Sequence, residues 1–446
     1  MRDEGKASEE GLFAALRARL AVLSPLAPAL ARQLEGVDIA SLRGVSDFSH
    51  IPLLRKSDLP AMQRAAPPFG GLAASAPGRF KRLFLSPGPI FEAQDFGADA
   101  FGAKAALAAA GFCAGDVVLN CFAYHLTPGG FIMESGAHAL GCATIPAGPS
   151  NSEQTLLAIA QLRPDAYCGP PDYLKILLDK ADAAGVDASC LRKALVSGAA
   201  LPASLRAELE SRGVRTRQAY ASAELGVIAS ETDGADGAAE AGLKVDADIL
   251  VEIVTPGSDD AAPAGAVGEV VVTALRGHFP LLRFATGDLS AFLDRGRIRG
   301  WMGRADQTTK VKGMFVHPVD VIEIGRRHPE LGALRLVVRR EGEQDTMILM
   351  AEVLAPGPGL AQAVAATMQA VTKLRGSVEF MAKGALPNDG KTIADERPAP
   401  LSHRFRALFA KNRQPPFRER ALAKRQTRES ARITPRSSAR PFNRPM

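Results

Sequence analysis

Short apolar runs with strand character alternate with helical runs of about 10–15 residues between positions 82 and 223. The strand-like runs are RLFLS (82–86), VVLNCF (117–122), KALVS (193–197) and RTRQAY (215–220). The helical runs lie near 99–110, 153–162, 172–184 and 203–212, and a further helix is predicted from Ala223. Because such alternation is typical of parallel strands joined by helices, the sequence predicts layered α/β sheets.

The pattern changes after residue 243, where strand-like runs follow one another without helices. These runs are ILVEIV (249–254), GEVVVTAL (268–275) and a Gly/Arg-rich hairpin at 292–301. They predict a small β-barrel-like subdomain on the α/β body. Residues 305–396 then combine strands and helices in a compact α+β unit. We therefore predict a large N-terminal domain over 1–304, a small C-terminal domain over 305–396 and a tail from 397.

The charge of the chain is concentrated at its C-terminal end. Residues 401–446 contain 13 Lys and Arg against two acids, while the remaining 400 residues carry 41 basic and 46 acidic groups. The tail has few apolar residues to offset its ordering entropy, so we predict that residues 397–446 are disordered. The basic tail makes a nucleic-acid-associated protein an alternative, but the acidic body, without interleaved aromatic and basic residues, disfavours it, and only non-specific contacts of the tail with nucleic acid are expected.

Removal of residues 401–446 is expected to leave the fold and activity of the body intact. The tail is instead expected to give salt-sensitive binding to polyanions, because its positive charge is dense. Melting temperatures of the full and truncated chains check this prediction, and a drop of several degrees on truncation would contradict it.

The pattern of cysteines and the hydropathy of the chain indicate the cellular compartment in which the protein is expected. Five cysteines are scattered singly with no C-x-x-C pair, which favours reduced thiols in a cytoplasmic protein over a zinc site. The first ten residues are charged with both signs, so no signal peptide is expected. The longest uncharged windows, 117–133 and 135–152, contain Pro and several Gly and are shorter than a spanning helix. We predict that the protein does not enter a membrane.

Two nucleotide-binding motifs are tested and rejected. No G-x-G-x-x-G follows a strand, so a dinucleotide fold has no support. GALPNDGKT (384–392) resembles a phosphate-binding loop, but Gly384 and Gly390 enclose five residues where the motif has four. Lys391 therefore needs another explanation.

Five segments that follow one another along the chain suggest a role for Lys391. They are ALVSGAALP (194–202), YASAELG (220–226), PLLRFATGDL (280–289), GRADQTTKVKG (303–313) and LPNDGK (386–391). Together with IPLLRKSDL (51–59), GDVVLNCFAYHLTPGGF (115–131) and FVHPVDVIE (315–323), they resemble the adenylate-forming enzymes, and most closely the phenylacetate–coenzyme A ligase branch. The similarity covers most of residues 40–397.

The resemblance implies a nucleotide site. Asp288 would accept hydrogen bonds from the ribose diol, Arg304 would contact ribose or phosphate, and Tyr220 would stack on adenine. Glu224 would hold the Mg²⁺ that accompanies ATP. The other implied contacts to ATP or AMP are Ser86, Gly88, Gly198, Ala199, Ala200 and Ala221.

The resemblance also implies a catalytic lysine, a hinge and an acyl pocket. Lys391 would neutralise charge that develops at the α-phosphate, and Asp306 would be the hinge about which a mobile small domain turns. The acyl pocket would be lined by Tyr124, His125, Gly129, Gly130 and Phe131, with Tyr124 and Phe131 flanking an aryl group.

The chain departs from the family at its phosphate contacts. Where the family has a Ser/Thr/Gly-rich loop with a Lys, this chain reads LSPGPIFEAQ (85–94), which has two prolines and no Lys. Ala221 replaces the usual Gly after Tyr, and Ala223 replaces the usual hydroxyl residue before Glu. Adenylate binding is therefore expected to be better preserved than triphosphate binding.

The sequence thus predicts an AMP-forming acid–coenzyme A ligase that uses ATP, Mg²⁺ and coenzyme A on an acid that the resemblance makes aromatic. A catalytically weakened relative that binds adenylate or acyl ligands remains an alternative. So does an adenylating enzyme that passes the acyl group to a carrier protein. The sequence leaves open whether the protein forms a homodimer.

Overall fold

The structure of the protein is a computed structural model. It describes residues 2–86, 89–149, 151–199, 201–294, 296–307, 309–311, 314–341, 344–387 and 391–397. The predicted site residues Gly88 and Ala200 lie outside the described residues, as does nearly all of the tail, so these predictions remain predictions. Residues 1–395 form one compact unit.

Eleven α-helices are distributed along the described residues. They are α1 (Arg2–Leu23), α2 (Pro28–Gln33), α3 (Val45–Phe48), α4 (Leu59–Ala65), α5 (Ala103–Ala109), α6 (Gly129–Leu140), α7 (Ser152–Leu162), α8 (Pro171–Ala184), α9 (Ala203–Ser211), α10 (Pro318–Arg327) and α11 (Leu360–Thr372).

Strands form several sheets. In chain order they are β1 (Leu54–Arg55), β2 (Arg82–Ser86), β3 (Ile90–Gln94), β4 (Val117–Asn120), β5 (Ala143–Pro146), β6 (Ala166–Gly169), β7 (Lys193–Val196), β8 (Arg215–Ser222), β9 (Gly226–Ser230), β10 (Leu243–Val245), β11 (Leu250–Val254), β12 (Gly268–Ala274), β13 (Leu281–Ser290), β14 (Phe292–Asp294), β15 (Arg297–Ile298), β16 (Thr309–Val311), β17 (Met314–Val316), β18 (Leu334–Glu341), β19 (Gln344–Glu352), β20 (Ser377–Met381) and β21 (Ile393–Asp395).

The predicted parallel α/β body is confirmed. The largest sheet has the strand order β14-β15-β10-β9-β8-β7-β6-β4-β5. The five strands from β8 to β5 pair in parallel, whereas β8, β9, β10, β15 and β14 pair antiparallel. The side chains of the inner parallel strands β4, β6 and β7 are almost continuously buried, as expected where helices cover both faces of a parallel sheet, whereas the edge strand β5 is more accessible.

The predicted barrel-like subdomain is an open sheet. Strands β1, β13, β12 and β11 lie side by side in that order, and no closed barrel is found in the described part of the chain. The central strands β12 and β13 are buried along their full length. The continuous apolar runs thus reflect strands that are buried on both faces of the sheet. An apolar run looks the same in the sequence whether its sheet is open or closed into a barrel.

Two helix assignments differ from the sequence prediction. The helix predicted from Ala223 is a turn at 223–225 followed by β9, which reverses against β8. Gly226 permits this reversal with φ +75°, and a Cβ there would lie 2.3 Å from the carbonyl oxygen of Phe101. Helix α6 was not predicted, because its glycines weaken the helical signal. One of them, Gly136, allows α5 to approach so closely that a Cβ would lie 2.7 Å from Ala103.

Residues 309–395 contain the predicted α+β arrangement. Strands β20, β19, β18 and β21 form a sheet in that order, and α10 and α11 pack together beside it. This part has its own core, which includes Val321, Leu336, Leu349 and Met368. Its division from residues 1–304 as a separate mobile domain remains a prediction.

None of the helices in the described ranges is long and apolar enough to cross a membrane. All five cysteines are free thiols, in line with the predicted reduced state.

Candidate active site

The carboxyl ends of the parallel strands gather several of the predicted site residues. Strand β4 leads into the segment of Tyr124, β7 leads into Gly198, and Tyr220 lies near the end of β8. Strands β5 and β6 lie on opposite sides of β4, so the strand order reverses there. Ligands of open α/β sheets bind at such a switch point, outside the carboxyl ends of the strands.

Asp288 is the centre of a hydrogen-bonded cluster at this edge. It lies on β13, is 9% exposed, and accepts hydrogen bonds from the Tyr220 hydroxyl at 2.8 Å and from Arg304 Nη1 at 3.0 Å. Trp301 Nε1 also donates to it at 3.2 Å. Asp288 and Arg304 are backbone bridge partners, so adjacent chain segments hold the pair in register. A carboxylate fixed by donors in this way has a defined orientation toward the surface.

Tyr220 is more deeply placed than the sequence suggested. Its ring belongs to the hydrophobic core and is 7% exposed, with its hydroxyl also 3.4 Å from Thr286 Oγ1. Burial, followed by the neighbouring Asp288 carboxylate, raises the pKa of the Tyr220 phenol well above its usual value. Tyr220 therefore acts here as a neutral donor that orients Asp288. Stacking on adenine stays a prediction.

The predicted adenine-side loop follows β7. The backbone of Gly198 has φ +77°, a conformation that residues other than glycine rarely adopt. A Cβ at this position would lie 3.6 Å from the Phe122 ring. Ala199 continues this loop, and Ala221 lies in β8 opposite Val227. The backbone at Gly198 can thus approach a flat ligand closely.

The predicted metal ligand, Glu224, lies on the turn between β8 and β9. Its side chain is 1% exposed, and Lys56 Nζ lies 2.8 Å from its Oε1. Within the described part of the chain, no group donates a well-oriented hydrogen bond to either carboxylate oxygen. A buried carboxylate with spare acceptor capacity fits a Mg²⁺ ion, which commonly takes one or two protein carboxylates together with phosphates and water. No group of three His, Cys, Asp or Glu in the described ranges is arranged to hold a metal.

Ser86 ends β2 at the altered loop. Strands β2 and β3 form an antiparallel hairpin that closes on the pair Ser86 and Ile90. The Ser86 hydroxyl donates to the carboxylate of Glu92, and both residues are buried. The hairpin is thus the place of the predicted phosphate loop, but its hydroxyl is already engaged by an acid.

The predicted acyl segment packs against itself. The rings of Tyr124 and Phe131 contact each other edge to face with centroids 4.9 Å apart, so in this structure they form one wall rather than flank a space. The Tyr124 hydroxyl donates to Glu134 at 3.0 Å and accepts from Asn120 at 2.8 Å. Arg82 covers the other side, 4.3 Å from the Phe131 centroid.

The two glycines of this segment form the first turn of α6, and His125 is exposed. A Cβ at Gly130 would lie 2.6 Å from the Tyr124 ring, whereas one at Gly129 would make only ordinary contacts. Gly130 is therefore required for the position of Tyr124.

Lys391 is exposed, and its neighbour Thr392 is anchored to the loop that carries Arg304. The Thr392 amide donates to Gln307 Oε1 at 2.7 Å, and Thr392 Oγ1 lies 3.2 Å from where a Cβ of Gly303 would be. Asp306 lies in a short 3-10 turn over Ala305–Gln307, and its side chain is outside the described part. The structure thus brings the backbone of Lys391 to the Arg304 loop, 103 residues away from Asp288 in sequence.

A cavity of about 880 Å³ is lined by Glu224, the one predicted site residue among its described lining residues. Polar side chains that line it with Glu224 include Asp95, Asp246, Arg276 and His278. They form two pairs, His278 Nδ1 with Asp95 at 2.9 Å and Arg276 with Asp246 at 2.7 Å.

Three residues near the cluster were missed by the sequence analysis. Trp301, the only Trp of the chain, contacts Asp288. Lys56 lies in the segment 51–59, quoted for its resemblance to the family, and Glu92 lies in the altered loop 85–94, but neither residue was given a role. A lone acid at an inward position of β3, between Ile90 and Gln94, was the available signal for Glu92.

Comparison with known proteins gives concordant matches. Residues 95–275 match the family model described as AMP-binding enzyme. A phenylacetate-coenzyme A ligase from Thermus thermophilus is 29% identical over 342 residues, which are 72% of this chain and 75% of that protein. One from Aromatoleum evansii is 26% identical over 339 residues, covering 72% and 75%.

Solved structures of acid–coenzyme A ligases share the fold. The 2-hydroxyisobutyryl-CoA ligase in the postadenylation state with R3-HIB-AMP matches with TM-score 0.66 at 21% identity, covering 90% of this chain and 91% of that one. An open conformation of the same ligase with 2-HIB-AMP and CoA matches with TM-score 0.67 at 21% identity, covering 87% and 91%.

Proposed function

We propose that the chain belongs to the adenylate-forming enzyme superfamily, in its phenylacetate–coenzyme A ligase-like branch, and is an acid–thiol ligase that converts an aromatic carboxylic acid to its coenzyme A thioester through an acyl-adenylate. The match of residues 95–275 to the AMP-binding enzyme model and the phenylacetate-coenzyme A ligases at 29% and 26% identity support this proposal. The observation that carries the proposal is the cluster in which Tyr220 and Arg304 hold the Asp288 carboxylate at the ligand-binding edge of the sheet. A carboxylate with two lone-pair-bearing oxygens suits the two hydroxyls of a ribose.

In the first step the substrate carboxylate attacks the α-phosphorus of ATP and pyrophosphate leaves. Charge accumulates on the α-phosphate oxygens, and the Lys391 ammonium is proposed to stabilise it. In the second step the thiolate of coenzyme A attacks the acyl carbon and AMP leaves. Asp288 holds the ribose in both steps, so the nucleotide keeps its position while the acyl group is exchanged.

Mg²⁺ is proposed to be held by Glu224, whose buried oxygens have acceptor capacity to spare. When bound, the ion supplies positive charge that offsets the phosphates of ATP. Lys56 Nζ, which is 2.8 Å from Glu224 Oε1, forms an ion pair with this carboxylate.

Pyrophosphate release and thioester formation, measured with ATP and coenzyme A across a panel of aryl and fatty acids, test this function. We expect turnover with an aryl acid. Pyrophosphate release without thioester would favour an acyl carrier protein as the acceptor. Binding of AMP without any pyrophosphate release would favour the weakened relative, an alternative supported by the engagement of Ser86 with Glu92.

Asp288→Asn is expected to weaken AMP binding about 100-fold, because two hydrogen bonds to a charged acceptor are worth roughly 1.5–3 kcal/mol each and are only partly kept by an amide. The fluorescence of Trp301, which is partly exposed beside Asp288, reports the titration. Asp294→Asn is the matched control, since Asp294 is an exposed acid on the next strand. Equal AMP affinity in the two variants would show that Asp288 does not bind AMP.

A further inference from the structure

The Asp288 carboxylate accepts hydrogen bonds from three side chains in the described part of the chain. Its Oδ1 accepts from Trp301 Nε1 at 3.2 Å and from Arg304 Nη1 at 3.0 Å. Its Oδ2 accepts from the Tyr220 hydroxyl at 2.8 Å. A carboxylate has about four positions at which it can accept a hydrogen bond, two on each oxygen. Oδ1 is therefore filled by these donors, and Oδ2 has one position left.

Under the proposed function, this carboxylate accepts hydrogen bonds from both hydroxyls of a ribose. One hydroxyl fits the position left on Asp288 Oδ2, and the other needs a position that a protein donor now holds. A complete ribose can therefore place one hydroxyl on each oxygen only when one of the donors to Oδ1 leaves. A sugar with a single hydroxyl needs no such change.

Trp301 is the donor that is held least firmly. Its hydrogen bond is the longest of the three, and it is 39% exposed, whereas Tyr220 is 7% exposed and belongs to the hydrophobic core. Arg304 is held to Asp288 by charge and by the backbone bridge between them. Water can hydrate an exposed indole N–H that leaves the carboxylate, so release of Trp301 costs less than release of the guanidinium.

The backbone on both sides of Trp301 is tied to the end of β13. The Met302 amide donates to the Leu289 carbonyl at 2.9 Å. The Ser290 hydroxyl donates to the Gly300 carbonyl at 2.7 Å. The indole can therefore leave the carboxylate by rotation about its side-chain bonds, between staggered rotamers, while the strand keeps its place.

We propose that Trp301 is a specificity-determining residue of the nucleotide site. Its indole N–H holds the position on Asp288 that the second ribose hydroxyl requires, and the side chain turns away when a complete ribose binds. Trp301 thus lowers the advantage that a ribose has over a deoxyribose. This inference rests on the proposed function and adds to it a residue that acts on the ribose contact.

Calorimetric titration of the full-length protein with AMP, 2′-deoxy-AMP and 3′-deoxy-AMP tests this inference. Trp301→Phe keeps an aromatic ring and removes the N–H donor. We expect it to tighten AMP binding about fivefold, because the second hydroxyl then meets no competing donor, and to change the binding of either deoxynucleotide by less than about twofold. Leu157→Ala, which removes an exposed apolar side chain from α7, is the matched control and should change none of the three affinities.

A second variant separates the donor from the ring. Trp301→Leu lacks both, and it is expected to raise the ratio of AMP affinity to deoxynucleotide affinity by the same factor as Trp301→Phe, since loss of the ring acts on all three ligands alike. A ratio that either folded variant lowers or leaves unchanged overturns the role of Trp301 alone. If the wild type binds none of the three ligands, the proposed function fails as well.

Discussion

Lys391→Ala is expected to lower the rate of acyl-adenylate formation by about 100-fold or more. The ammonium is proposed to act on the charge that develops at the α-phosphate, and loss of one such electrostatic contact typically has this cost. Because Thr392 is hydrogen-bonded to Gln307, the backbone beside Lys391 is held to the loop of Arg304. The Lys391 side chain itself is exposed, and its contact with the nucleotide is the proposal that this variant tests.

Two measurements separate a role in adenylation from a general effect. Pyrophosphate release reports the first step, and thioester formation from a supplied acyl-adenylate reports the second. The second rate should stay within a few fold of wild type, because the resemblance places the lysine outside the site in that step. Lys383→Ala, which alters an exposed lysine of the same C-terminal part, should change neither rate. Equal losses in both steps would contradict the assigned role.

Helices and strands could be predicted from the sequence where both the spacing of apolar residues and the length of the run indicated the same element. Helices α8 and α9 and the parallel strands β4, β7 and β8 follow from apolar spacing, because each element packs one face or both faces on a core. The parallel strands β5 and β6 were not predicted, and β2, which was expected among the parallel strands, forms a separate antiparallel hairpin with β3. Helix α6 was missed because glycines at Gly129, Gly130 and Gly136 depress helix propensity. The close contacts of Gly130 with Tyr124 and of Gly136 with α5 are visible only in three dimensions.

The sequence motifs named many of the candidate site residues, but they did not predict the contacts between those residues. Asp288 and Arg304 were named from motif positions, but the hydrogen bond from Tyr220 joins residues 68 positions apart. Nothing in the spacing of a sequence measures such a distance. Lys56 and Glu92 were missed for the same reason, since each looks like an ordinary charged residue in the sequence. The fold brings Lys56 within 2.8 Å of Glu224 and brings Glu92 to the Ser86 hydroxyl.

Arg283 is a further residue that the sequence did not single out, although it lies in the quoted run before Asp288. It is 0% exposed and has a positive φ of 43°. Its Nε and Nη2 bind the two oxygens of the buried Glu252 at 3.1 and 3.0 Å, and Nη1 donates to the carbonyls of Ser49 and Ile51. One side chain thus joins β13, β11 and the N-terminal segment.

Arg283→Met is expected to lower the free energy of unfolding by about 3–5 kcal/mol. Met has a similar length and meets the same backbone conformation, so the change chiefly leaves the Glu252 carboxylate buried without a partner. This is a large share of the typical 5–15 kcal/mol for a domain. Urea unfolding measures the effect, and Arg299→Met, an exposed arginine, should stay within about 0.5 kcal/mol of wild type.

The pH dependence of this loss distinguishes an unpaired charge from lost packing. Burial already raises the pKa of Glu252 above its usual value while Arg283 opposes the rise, so removal of the arginine raises the pKa further. A raised carboxyl pKa destabilises the folded state above the unfolded-state pKa, and the cost disappears as the pH falls below it. The deficit of Arg283→Met should therefore shrink on acidification from pH 8 toward about pH 4.5, and Glu252→Gln added to it should recover part of the loss at pH 8. A deficit that is constant with pH, or no recovery in the double variant, would mean that Arg283 stabilises β13 by packing alone.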